Sequence, residues 1–235
     1  MRRLTVNTFL TLDGVMQAPG GPDEDPTGGF AWGGWSVDYW DDMMGEVMTG
    51  LMAAPFDLLL GRKTYEIFAA HWPYAGDDPA PTADDGPLDA TAQSAVKKMN
   101  DATKHVASRT LTRLDWRGSR LIEGDVVAAV RRLKQEDGPE IQVHGSSGLL
   151  QTLIPAGLVD EFRLWVFPVV IGKGKRLFGD GTVPAGLTLT DSQASTTGVV
   201  ISTYRPAGAI RTGSFALTEL TGAELERRRK LAKEG

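Results

Sequence analysis

The sequence predicts a single α/β domain of three layers, αβα, around a mixed, mostly parallel sheet that ends in an antiparallel hairpin. Three observations carry this. Short β-prone runs alternate with amphipathic helical stretches through most of the chain, the order that builds parallel sheets from βαβ units. The run from Ile141 to Phe178, IQVHGSSGLLQTLIPAGLVDEFRLWVFPVVIGKGKRLF, reads as strand, glycine turn, helix and buried strand in direct succession. Late in the chain, Leu187 to Ala194 and Val199 to Tyr204 are two β-prone runs close enough to pair as a hairpin.

Each element follows from local pattern. Arg3 to Leu10 is the first strand, and the loop from Thr11 to Gly34 is too rich in glycine, proline and acids for regular structure. A helix is expected over Val37 to Ala53, where Trp40, Met43, Met44, Val47, Met48 and Leu51 recur at helical spacing. Asp57 to Leu60 is a short strand, Lys63 to Ala70 a helix, and Asp77 to Asp89 a Pro-rich acidic loop. A helix over Thr91 to Asn100, strands over Lys104 to Ser108 and Ser119 to Ile122, and a helix over Asp125 to Gln135 follow. Ile141 to His144 is β-prone, Gly145-Ser146-Ser147-Gly148 permits a tight turn, and Leu149, Leu150, Leu153 and Ile154 recur at helical spacing. Val159 to Val170 then reads as a long buried strand, interrupted at Pro168. Arg205-Pro206 ends the domain, expected over residues 1–205. In the extension, 206–235, Thr221-x-x-Glu224 forms a capping box for a terminal helix to about Lys233.

Composition narrows the function. At 235 residues and 41% hydrophobic the chain can bury a full core, and no stretch approaches a membrane span. The basic start MRRLTVNTFL is interrupted by Asn7, and no small-residue cleavage site follows, so a cytoplasmic protein is expected. A net charge of -5 argues against nucleic acid as a partner. With no cysteine there is no disulfide, thiolate nucleophile or cysteine zinc site, and His71, His105 and His144 show no metal-ligand spacing. No metal is expected. His144, just before the glycine turn, is placed most suggestively of the three, although a packed histidine is the commoner case.

A strand running through small residues into a helix can hold a phosphate, because the first helical amides lack intrahelical acceptors and the helix dipole is positive there. Gly145 to Gly148 fits that description, and so does an ordinary structural turn.

Several separate motifs together resemble the C-terminal reductase domain of bifunctional riboflavin-biosynthesis proteins, a relative of dihydrofolate reductase. They are Thr11-Leu12-Asp13-Gly14 after the first strand, Leu58 to Glu66 (LLLGRKTYE), Val106-Ala107-Ser108-Arg109, Gly157 to Glu161 (GLVDE), and Ile171-Gly172-Lys173-Gly174. The likeness spans roughly residues 1 to 205. It implies a dihydrofolate reductase-like fold, an NADPH-dependent reductase of a small heterocyclic substrate, and a homodimer. The zinc deaminase half of the bifunctional enzymes needs a cysteine pair, so this chain would carry the reductase half alone. Reduction of other carbonyl or imine compounds on the same scaffold, or ligand binding without catalysis, stays open.

By this resemblance Gly61, Arg62, Lys63 and Thr64, with Ser108 and Arg109, would hold the cofactor's 2′-phosphate end, and Gly145, Ser146, Ser147 and Gly148 its pyrophosphate, with Leu149 near the adenosine or nicotinamide moiety. Serine at position 146, where dihydrofolate reductases resemble Gly-Gly, requires a negative φ or compensated strain. It favours the riboflavin-reductase branch. Asp13 would border nicotinamide and substrate, or serve as a turn-stabilising residue. Among the acids of the first long helix, Asp41 flanks the apolar stripe beside Met48 and Met52 and is the expected proton-relaying carboxylate, the alternative being a solvated acidic face near a helix N-terminus. Trp32, Trp35 and Trp40 would wall a planar substrate, or form core.

Overall fold

The computed structural model describes residues 1–75, 90–180 and 182–234; the expected acidic loop of Asp77 to Asp89 lies outside them. Among the described residues the strands are β1 (Leu4–Thr11), β2 (Phe56–Gly61), β3 (Lys104–Ala107), β4 (Ser119–Ile122), β5 (Glu140–His144), β6 (Glu161–Phe167), β7 (Leu187–Ala194) and β8 (Val200–Pro206). They form one sheet in the order β4-β3-β2-β5-β1-β6-β8-β7. Every pairing from β4 through β6 is parallel, and β8 pairs antiparallel with β6 and β7. This is the expected mixed sheet with its terminal hairpin.

Helices α1 (Asp42–Leu51), α2 (Arg62–His71), α3 (Ala90–Asp101), α4 (Val126–Gln135) and α5 (Ser147–Leu153) cover the sheet. Strand alternation assigns the faces. Leu59 of β2 joins Val6, Val143 and Leu164 in the cluster that Val130, Leu133, Leu150 and Leu153 of α4 and α5 complete. Its neighbours Leu58 and Leu60 join Val106, Tyr65 and Met99 in a second cluster with α2 and α3. Met44 of α1 closes a third over Trp165, Phe167 and Ile201. Central strands thus bury both faces, which is why they read as nearly continuous apolar runs.

Two elements depart from expectation. The helix expected over Val37 to Ala53 is broken: Val37–Tyr39 is a 3-10 turn, Trp40 is extended, and α1 begins at Asp42. The cause is Asp41, which takes the N-cap position and accepts a hydrogen bond from Met44 N at 3.0 Å. The strand expected over Val159 to Val170 is shorter, ending at Phe167 before Pro168, which has no N–H for a ladder. It is also interior, between β1 and β8, so its apolar residues are core.

The lower ends of β5 and β6 carry a charge network. Arg163 reaches Glu140 at 2.9 Å and the buried Glu161 at 2.8 Å, and Arg205 reaches the second oxygen of Glu161 at 2.9 Å. Burial raises the Glu140 carboxyl, but Arg163 outweighs it and holds the group below its ordinary range. Beyond β8, helix α6 (Gly222–Glu234) has no buried residue, and Phe215 is fully exposed. Thr221 Oγ1 accepts from Glu224 N at 3.3 Å as expected of the capping residue, while Glu224 engages Arg227 and Arg228 instead of returning to the cap.

Candidate functional site

A cleft of about 1080 Å³ opens where β2 and β5 end and alongside the second half of β1. In a mostly parallel sheet this is the end where loops diverge and leave space. Its sides are two strand-to-helix turns, Gly61 to Thr64 and Gly145 to Leu149, and its far wall is the loop residues Met16 to Asp25. Asn7, Phe9, His144 and Trp165 line it from the sheet, and Trp40, Met48 and Met52 from the α1 side.

The two turns are tied by one side chain. Ser146 Oγ accepts from Gly61 N at 2.9 Å and donates to Thr64 Oγ1 at 2.8 Å. Ser146 itself is left-handed, φ 66 and ψ 57, directly after Gly145 at φ 71. A non-glycine residue there is strained, and the two hydrogen bonds are the compensation that its presence requires. At Gly61 a Cβ would lie 3.4 Å from Ser146 Cβ and Oγ and 3.5 Å from Leu149 Cβ, ordinary contact that leaves room for one carbon but not for a larger side chain on that side. Ser146 therefore joins the N-terminal ends of α2 and α5 at the cleft.

Of the expected cofactor residues, Gly61, Arg62, Lys63, Thr64, Gly145, Ser146, Ser147, Gly148 and Leu149 line this cleft, and Ser108 and Arg109 do not. Ser108 Oγ instead accepts from Thr110 N at 3.2 Å and Leu111 N at 3.0 Å, closing the turn after β3. Arg62 is paired with Glu66 at 2.9 Å across one helical turn. Lys63 has no ion-pair partner among the described residues, which leaves its charge available to a ligand.

The expected catalytic acids lie elsewhere. Asp41 lies outside the cleft lining; besides capping α1 it accepts from Thr196 N at 2.9 Å and Thr196 Oγ1 at 2.7 Å, pinning the helix start to the β7–β8 turn. The Thr196 hydroxyl, with the Met44 amide, lowers its pKa. Asp13 is likewise a clasp. Thr11 Oγ1 at 2.6 Å and the Gly172 amide at 2.8 Å bind its carboxylate, and Arg176 bonds its backbone carbonyl. Chiefly through the Thr11 hydroxyl its pKa falls to about 2, so it stays ionised and has no proton to donate near neutrality.

The three tryptophans separate. Trp40, 47% exposed, lines the cleft and lies parallel to Trp165, ring centroids 6.1 Å apart at 6°. Trp35 is core: its Nε1 donates to Gln17 O at 2.8 Å and its edge meets Phe167 at 5.3 Å. Trp32, 64% exposed, lies outside the cleft lining.

Sequence reasoning passed over several lining residues. Glu24, on the far wall, is raised by burial, against the Gly20 amide that donates to it at 2.6 Å. Burial pushes neighbouring Asp25 up as well, but Lys175 and Thr27 outweigh it and keep that group ionised. Asn7 and Trp165 are both buried, and the signal for Asn7 was a lone amide inside a strand-like run. Among the described residues no group of acids and histidines could hold a metal ion, and no helix is long and apolar enough to cross a membrane.

A mixed sheet with a cleft walled by two glycine turns at its carboxyl ends defines an α/β protein of the dihydrofolate reductase-like class. Residues 2–201 match the model of the RibD C-terminal domain, and the chain belongs to that family. It is 29% identical to the uncharacterized protein YyaP of Bacillus subtilis over 207 residues, 86% of this chain and 94% of the relative. The uncharacterized protein YwjB of the same organism is 27% identical over 66% of this chain and 78% of its own length. Among solved structures, a putative riboflavin biosynthesis protein from a Shewanella species superposes with a TM-score of 0.55 at 19% identity, over 88% of this chain and 99% of that one. A pyrimidine reductase-like protein of Corynebacterium diphtheriae gives 0.54 at 14% identity, over 90% and 93%. The diaminohydroxyphosphoribosylaminopyrimidine deaminase/5-amino-6-(5-phosphoribosylamino)uracil reductase of Thermotoga maritima gives 0.53 at 16% identity, over 88% of this chain and 57% of that one.

Proposed function

We propose that this protein is an NADPH-dependent reductase of a small heterocyclic substrate. The observation that carries the reading is the Ser146 junction, which holds two strand-to-helix turns together along one cleft. The residues fit a dinucleotide. Gly145 to Leu149 would take the pyrophosphate on backbone amides, and Arg62, Lys63 and Thr64 would take the 2′-phosphate. Gly61 fits because a side chain there would fill the approach. When bound, the nicotinamide supplies the hydride; the chain's residues orient the substrate, exclude water and deliver a proton. Trp40, Phe9 and Met48 offer flat and apolar faces for a planar ring. Glu24 is the cleft carboxylate best suited to retain a proton, because its surroundings raise its pKa while those of Asp13 and Asp41 lower theirs.

A second reading, reduction of other carbonyl or imine compounds, draws on the turned-away Asp13 and Asp41: among the described residues the cleft's carboxylates, Asp23, Glu24 and Asp25, lie on the loop wall and none on the sheet floor. Initial rates of NADPH oxidation over panels of aminopyrimidines, pterins and carbonyl compounds discriminate between the two. The reductase reading falls if NADPH binds and none is turned over.

Two variants check the residue assignments. Lys63→Ala combined with Arg62→Ala should raise the KM for NADPH by about tenfold or more relative to NADH, the scale of one lost charge-assisted phosphate contact. Arg109→Ala should leave both constants unchanged; a large NADPH-selective effect at Arg109 would place the 2′-phosphate outside the cleft. Asp41→Asn should leave turnover unchanged across the pH range, since asparagine also caps helices well. A displaced pH profile would restore Asp41 as the proton relay. The proposal extends to a cytoplasmic homodimer, with the exposed edge strand β7 and α6 as the surfaces available, and sedimentation velocity tests the dimer.

A further inference from the structure

On one face of the sheet, β1, β5 and β6 carry a polar stripe. Register places Asn7 beside His144 on β5 and Arg163 on β6, with Trp165 two residues further along β6. At the lower end the stripe is charged, where Glu140 meets Arg163; where it reaches the cleft it is neutral. A hydrogen-bond chain orients the His144 ring there. Gln142 Nε2 donates to Leu51 O and to Glu140 Oε1, each at 3.1 Å, so Gln142 Oε1 is left to accept from His144 Nε2 at 2.9 Å. Burial drives the His144 pKa down to about 4, so the imidazole is uncharged near neutrality.

At the centre of this stripe the polar accounting fails. Asn7 is 5% exposed and lines the cleft, yet neither its Nδ2 nor its Oδ1 has a partner, and Trp165 Nε1 lacks an acceptor. Among the described residues four buried side-chain polar atoms are orphaned; three of them belong to these two cleft residues, and the fourth is Ser119 Oγ on the distant β4. Such atoms are rare and costly in native interiors, and several in the wall of one cleft mark a partner that arrives with the ligand.

We infer that Asn7 and Trp165 recognise the edge of a neutral planar amide. Its carbonyl oxygen would accept from Asn7 Nδ2 and Trp165 Nε1, and its N–H would donate to Asn7 Oδ1. A carboxylate would set an acceptor against Oδ1, and an ammonium or amidinium would leave both protein donors unmatched, so an amide is the group that satisfies all three. Two sources present it: the carboxamide of a nicotinamide cofactor and the lactam edge of an oxo-substituted heterocyclic substrate. The choice between these sources rests on the reductase reading above; recognition of the amide does not.

Asn7→Leu removes both amide atoms at similar shape, and Asn7→Asp keeps the size and an acceptor while removing the donor. Because the orphans are absent, Asn7→Leu should melt at or above the wild-type temperature. Affinities of the full-length proteins are then measured by calorimetry and ligand-observed NMR with three probes: NADPH, 2′-phospho-ADP-ribose, which lacks the carboxamide, and 5,6-diaminouracil. A loss of about tenfold or more for NADPH with none for 2′-phospho-ADP-ribose identifies the cofactor carboxamide as the partner. A similar loss confined to 5,6-diaminouracil identifies the substrate lactam. If wild type binds 5,6-diaminouracil in an Asn7-dependent way but neither dinucleotide, the amide site stands and the NADPH reading falls. Unchanged affinities in both variants, or no binding of NADPH or 5,6-diaminouracil to wild type, overturn the inference; so does an internal water satisfying Asn7 in a ligand-bound crystal structure.

Discussion

Gly61→Val is expected to weaken NADPH binding by about 100-fold or more, a loss of roughly 2.7 kcal/mol, while the protein still folds. Position 61 has φ -77 and ψ 163, extended backbone that valine favours, so the substitution carries no backbone strain. What changes is space. A Cβ already meets Ser146 and Leu149 at 3.4–3.5 Å, and the γ-methyls must enter the cleft or push Ser146 out of its left-handed conformation. Either outcome separates the two turns. Gly148→Ala is the informative companion, because a Cβ there meets no protein atom within 4 Å. Any loss of affinity in that variant reports the approach of the ligand itself. Tryptophan fluorescence titration with NADPH measures both, and circular dichroism confirms folding. Wild-type affinity in Gly61→Val would mean that this turn does not border the cofactor.

Arg163→Met is expected to destabilise the fold by about 3 kcal/mol at pH 7, because Glu140 and Glu161 lose their buried cation and keep only the more exposed Arg3 and Arg205. For a chain of this size that corresponds to a fall in Tm of roughly 10 °C. The pH dependence follows from the sign of the Glu140 shift. In the wild type its folded pKa lies below the unfolded value, so its contribution is present above about pH 4.3 and is lost as pH falls through the folded pKa. Without Arg163 the upward push of burial meets less opposition. The folded pKa moves toward or above the unfolded one, and acid then favours the folded state. The difference between variant and wild type should therefore narrow from pH 7 to pH 4.5 in urea unfolding. A pH-independent difference would show that Arg163 acts by packing alone.

The same network explains why the site was only partly legible. Glycine turns and helix starts are local events: Gly145 at positive φ, Asp125 capping α4 through Ala128 N at 2.7 Å, and the period of Leu149, Leu150 and Leu153 act within a few residues. Such features were readable in order. The acids were not, because Asp41 and Asp13 are decided by distant partners, Thr196 at 155 positions and Gly172 at 159 positions along the chain. An acid at the start of an amphipathic helix has the same sequence signature whether it faces a ligand or caps the helix. Trp35 and Trp40, five residues apart, end respectively in the core and in the cleft: Trp35 is held by Gln17 O and Phe167, and Trp40 stands in the extended backbone before α1.

By itself, then, the amino-acid sequence determined the αβα class, the order of its elements and the two glycine turns, since periodicity, capping and backbone permissiveness are short-range properties of the chain. Tertiary structure decided which of those residues share a surface. The sheet order inserts β5 between β1 and β2, which sets Ser146 against Gly61 across 85 residues of sequence and lays Asn7 beside His144. Strand register and burial thereby turn Asp13 and Asp41 into fasteners and leave Asn7 and Trp165 without partners in the cleft wall. Long-range pairing is a property of the folded sheet, and no local pattern encodes it.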